Sequence, residues 1–88
     1  MKYIIGTKDD ARHVIIFDDG MPHKKAAEAF DRITSAGFIT LTSKHTGKMH
    51  VTCHGESISL GIKSKGLRDA FVVETVLFGG FTNYTDQT

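Results

Sequence analysis

The sequence predicts an α+β domain, an antiparallel sheet of four to five strands with two helices packed on one face, in the order ββαβββα. Three observations carry this expectation. Two β-branched runs open the chain, Tyr3-Ile4-Ile5 and His13-Val14-Ile15-Ile16-Phe17. Residues 35–62 hold the only sustained period-two alternation, with Ile39 and Leu41 on one face of a strand, Met49, Val51 and Cys53 on one face of another, and Ile58, Leu60 and Ile62 on one face of a third. Two flanking stretches, 22–33 and 65–78, repeat apolar residues at three- and four-residue spacing and supply the cover.

The first two strands are joined by the charged segment 7–12, a length suited to a hairpin. Asp18-Asp19-Gly20 tolerates turn conformations, and Pro22 presets the backbone angle of a first helical position. The first helix is expected over 22–33, with Ala26, Ala27, Phe30 and Ile33 on its apolar side. Phe30 is its anchor, because burying such a side chain contributes about 1.5–3 kcal/mol, against a few tenths from the Glu28–Arg32 pair. Strands follow over 37–42 and 49–54, separated by the polar stretch 43–48, and a fifth over 57–62 is weakened by its serines and Gly61. Ser64 is placed to cap a second helix over 65–78, which Gly79-Gly80 stops. Residues 71–78 are also rich in strand formers, so a hairpin with Phe81-Thr82-Asn83-Tyr84 is the competing reading.

The 88 residues make one domain, with 82–88 as a loose tail, and a chain of this size buries about 60–65% of its unfolded surface. Hydrophobic residues are 40% and charged residues 24%, so the chain is expected to fold. Eleven basic and ten acidic side chains leave a formal charge of +1, which supplies no overall field for a polyanion. Cys53 is the only cysteine, which excludes an internal disulfide and fits a reducing cytoplasm. The opening Met1-Lys2-Tyr3-Ile4-Ile5-Gly6 is too short for a signal-peptide core, and no apolar run approaches the roughly 20 residues of a membrane span.

No constellation reaches the specificity of a catalytic motif, and the expectation is a protein that is not an enzyme and holds no cofactor. His50 and His54 share a face with Thr52, but Cys53 points the other way and the set does not converge as zinc requires, so no metal is expected. Asp18-Asp19-Gly20 lacks the further oxygens of a calcium site. Gly55-Glu56-Ser57-Ile58-Ser59-Leu60-Gly61 does not place glycines two residues to each side of a serine. Lys44, Lys48, Lys63, Lys65 and Arg68 give the middle a basic excess, the candidate contacts for nucleic acid, although no aromatic is interleaved with them. Glu74 falls in the helical register at the centre of the arc of Leu67, Ala70, Phe71, Leu77 and Phe78, while Val72 and Val76 fall opposite. That placement marks Val72 and Val76 as a candidate homodimer interface, with a buried partner for Glu74 or two exposed valines as the alternatives. The polar face of His50, Thr52 and His54, and the aromatic pair Phe81 and Tyr84, are the candidate partner-binding residues.

Three segments in this order, Phe17-Asp18-Asp19-Gly20-Met21-Pro22-His23, Ser35-Ala36-Gly37-Phe38 and Gly55 through Gly61, resemble a family of short bacteriophage and prophage proteins of uncharacterised function. The resemblance spans most of the middle of the chain and carries no chemistry. It implies a product made in the cytoplasm of a bacterial host. Small phage proteins often act by binding a macromolecule, so the expected function is an accessory or inhibitor that binds a host or phage protein stoichiometrically. Nucleic-acid binding through the lysine-rich middle is the alternative.

Overall fold

A computed structural model describes residues 1–43, 47 and 49–78. Strands β1 (Lys2–Lys8) and β2 (Ala11–Phe17) form a hairpin in which Lys8 pairs with Ala11, leaving Asp9 and Asp10 as a two-residue loop. Both have positive φ, 54° and 65°, the arrangement whose twist matches that of the flanking strands. Strand β3 (Arg32–Ser43) pairs antiparallel with the other side of β1, and β4 (Met49–His54) pairs with β3, so the sheet runs β2-β1-β3-β4. A separate small hairpin joins β5 (Glu56–Ser57) to β6 (Ile62–Lys63). Helix α1 (His23–Ala26) continues as a 3-10 turn over Ala27–Ala29, and α2 is Leu67–Phe78.

The sheet is covered on both sides. Tyr3, Ile5, Ile39, Val51 and Cys53 point to one face and pack with Ala70 and Val73 of α2. Ile4, Phe17 and Ala36 point to the other, where Ala26, Ala27 and Phe30 meet Leu60 and Ile62 of the small hairpin. The expected α+β class and antiparallel four-stranded sheet are present, but the helices lie on opposite faces instead of sharing one. The reason is that β1 carries apolar residues at both parities, as do β2 and β3, so each face of the sheet needs its own cover.

A bulge sets how the faces alternate. Ile5 pairs with Ser35 but Gly6 pairs with Ile33, so Thr34 is an extra residue in β3 and donates its hydroxyl to the Ile5 carbonyl at 3.0 Å. The extra residue turns Ile33 into the α1 face and Ser35 into the α2 face, although two residues of regular strand separate only same-face positions. Gly6 opposite it has no room for a side chain, since a Cβ there would sit 2.3 Å from the Arg32 carbonyl oxygen.

Two expected elements differ. The first helix ends far short of residue 33, because Phe30 is already extended (φ −114°, ψ 148°) and Arg32 and Ile33 pair with Thr7 and Gly6. Strand pairing there outweighs the helical spacing, and Phe30 and Ile33 still pack on the α1-side core from extended backbone. The expected fifth strand over 57–62 is instead the turn of the small hairpin: Ser57 accepts the Leu60 amide on its Oγ (3.3 Å) and the Gly61 amide on its carbonyl (2.9 Å), and Gly61 has φ 68°. The second helix forms as expected, with Ser64 Oγ accepting the Gly66 amide at 3.0 Å just ahead of it. The tail over 82–88 lies outside the described residues.

Candidate functional site

Asp69, in the first turn of α2, is 3% exposed and is the most connected polar side chain of the interior. One carboxylate oxygen accepts the Ser35 hydroxyl at 2.9 Å, and the other accepts the Lys65 amide at 2.8 Å together with the Tyr3 hydroxyl. The Tyr3 oxygen also lies 2.7 Å from Ser64 Oγ. With its single proton given to the carboxylate, the phenol is left to accept from Ser64. Burial first, and the hydrogen bond to Asp69 second, push the Tyr3 phenol far above its usual range. Burial, reinforced by the Asp69 charge, pushes the Cys53 thiol up to about 11, so the free cysteine is an inert core residue at neutral pH.

Above this cluster opens a cleft of about 200 Å³ lined by Ile5, Arg12, Thr34, Ser35, Lys65, Arg68, Asp69 and Val72. It lies between the sheet and the foot of α2, and the bulge at Thr34 forms part of its wall. The ion pairs among the described residues are Met1–Asp19 and Lys8–Asp31, so the Lys65 and Arg68 side chains have no carboxylate partner there. The sequence reading named Lys65 and Arg68 among five basic residues and missed Arg12, which reaches the cleft only through the β1–β2 pairing. It also missed Asp69, whose signal was an acid one turn into a helix with Ser64 ahead of it.

A second feature is the outer side of α2. Leu67, Phe71 and Phe78 are 87%, 68% and 49% exposed and fall on one line of the helix with Glu74, which is also exposed. This corrects the placement of one of the candidate dimer residues: Val72 packs against the α2-side core, whereas Val76 is exposed. Glu74 faces out and needs no buried partner. The inward side is built on Asp69, Ala70 and Val73 because the bonds of Asp69 to Tyr3 and Ser35 fix the rotation of the helix and the small side chains allow it close to the sheet.

His50, Thr52 and His54 are exposed and share the face of β4 turned away from α2. His54 is already engaged, stacked on Phe38 at 6.3 Å between ring centres and 2.8 Å from Thr40 Oγ1. Lys63 is an exposed residue of β6, while Lys44, Lys48, Phe81 and Tyr84 lie outside the described residues. Among the described residues no helix is long and apolar enough to cross a membrane. No family model, curated protein or solved structure matches the chain.

Proposed function

We propose that this chain acts by stoichiometric binding to another protein, of host or phage origin, and that the contact surface is the outer face of α2. One observation carries the reading: Leu67, Phe71 and Phe78 stand out from one side of a well-anchored helix. Single exposed apolar residues are ordinary, but three large ones in line on a helix form the kind of apolar patch that marks an interaction site. Anchors at i, i+4 and i+11 are also the spacing with which a helix fills a groove on a partner. Lys65 and Arg68 beside the stripe supply part of the charged rim that surrounds an apolar centre in transient interfaces, and Glu74 sits in the stripe itself.

The test compares the native chain with Phe71→Glu as baits in bacterial lysate. The expected result is a protein retained near one-to-one stoichiometry by the native chain and lost with the variant, while Thr52→Ala on the opposite side of the sheet retains it. Identical captures with native chain and Phe71→Glu overturn the reading.

A further inference from the structure

We propose that the cleft at the foot of α2 is a binding site for a single phosphate group, gripped by the side chains of Lys65 and Arg68. The two cations are surplus to the fold. Among the described residues Asp69 is the only carboxylate lining the cleft, and its bonds come from neutral donors: the Tyr3 and Ser35 hydroxyls and the Lys65 amide. No described carboxylate pairs with Lys65 or Arg68. Set against Asp69 they leave a surplus of one positive charge before Arg12, which has interactions of its own and forms another part of the wall, is counted.

The chemistry of the lining selects an acceptor-rich anion. The hydroxyl protons of Thr34 and Ser35 are committed to the Ile5 carbonyl and to Asp69, so the donors left to a ligand are ammonium and guanidinium. A phosphate monoester carries about −1.5 to −2 charges at pH 7 and three acceptor oxygens, which answers both the charge and the donor type. About 200 Å³ is smaller than the roughly 300–1,000 Å³ of sites for drug-sized ligands, so the cleft takes one such group and not a whole nucleotide. The backbone that carries the two cations is fixed in advance. Asp69 holds the Lys65 amide, Ser64 holds the Gly66 amide, and the Ala70 amide bonds to the Gly66 carbonyl at 2.9 Å. Little ordering of the main chain therefore remains to be done on binding.

Free phosphate and the phosphodiester backbone of a nucleic acid both offer phosphoryl oxygens to the two cations, the diester with one charge and two free oxygens, and the experiment separates them. Inorganic phosphate is titrated into the ¹⁵N-labelled chain at pH 7, with chloride at matched ionic strength as the control. The expected result is saturable shifts at the amides of Thr34, Ser35 and residues 65–69, weakened about tenfold or more in Arg68→Ala and in Lys65→Ala, the loss expected from one charge-assisted contact. Both side chains are exposed, and an otherwise unchanged amide spectrum verifies the fold of each variant. A short single-stranded oligonucleotide that binds at least tenfold tighter through the same amides assigns the phosphate to nucleic acid, and equal or weaker binding assigns it to a small molecule. Non-saturable shifts, saturable shifts elsewhere, or binding unchanged in the two variants overturn the proposal. Lys65 and Arg68 also border the helix face, but Leu67, Phe71 and Phe78 play no part in the phosphate site, so the Phe71→Glu test and the phosphate titration fail separately.

Discussion

Asp10 holds φ at 65° in the β1–β2 turn, a conformation that glycine adopts without the clash a Cβ brings. Asp10→Gly is expected to stabilise the fold by about 0.5–1 kcal/mol, the part of the left-handed penalty that the flexibility of the unfolded glycine does not cancel, and to raise Tm by several degrees. Tyr3 illustrates the opposite case, a side chain whose polar end cannot be spared. Tyr3→Phe leaves the buried Asp69 without one of its three donors and is expected to cost about 1.5–3 kcal/mol in urea unfolding. The same cluster sets an alkaline limit. Cys53 rises from an ordinary 9.0 to about 11 and Tyr3 rises from 10.0, so the unfolded chain loses these protons before the folded chain does. Their contribution to stability is intact below about pH 9 and is lost as pH climbs through the folded values. Urea midpoints should hold from pH 7 to pH 8.5 and fall beyond pH 9, and the fall should be shallower in Tyr3→Phe.

Helix α2 was legible in its extent but not in its rotation. Its apolar residues outnumber the positions that face the sheet, and the arc of Leu67, Ala70, Phe71, Leu77 and Phe78 is centred on Glu74. The buried side is instead centred on Val73, about 100° away, one residue's step around the helix. Hydrophobicity alone could not choose between the two sides, because the deciding contact is polar and joins residues 66 positions apart, Asp69 to Tyr3. The contrast is measurable: Phe71→Glu is expected to change stability by no more than about 0.5 kcal/mol, whereas Val73→Glu, which places a charge at a fully buried site, is expected to unfold the domain. Thermal melts followed by circular dichroism distinguish them. The first helix misled for a related reason. Phe30 and Ile33 fit a helical spacing, yet extended backbone leading into the ladder with Thr7 and Gly6 packs them, partly buried, on the same core, and no local pattern announces a pairing 25 or 27 residues away. Strand β4 was legible to its boundaries because one of its faces is buried and the other is bare, which writes a clean alternation into Met49–His54.

Taken together, the two cores leave the sheet enclosed between unlike layers, and the outward stripe on α2 is absorbed by neither. Three such side chains offer at most a few hundred Å², well short of the roughly 800 Å² per partner of a stable interface. Self-association through this face is therefore expected to be weak: light scattering should give a monomer mass at low micromolar concentration, a rising average mass at several hundred micromolar, and no rise for Phe71→Glu. The bond between Tyr3 and Asp69 joins residues 66 positions apart and thereby closes a loop of three quarters of the 88-residue chain. The tight turn at Asp9-Asp10 lets β1 and β2 meet early at small entropic cost, but α2 has to dock before Tyr3 finds its carboxylate. That order makes the bond a latch on the way out more than a guide on the way in. Removing the Tyr3 hydroxyl should leave the refolding rate almost untouched and speed the unfolding rate by most of the equilibrium loss, so the lifetime of the folded molecule rests on a contact between its first strand and its last helix.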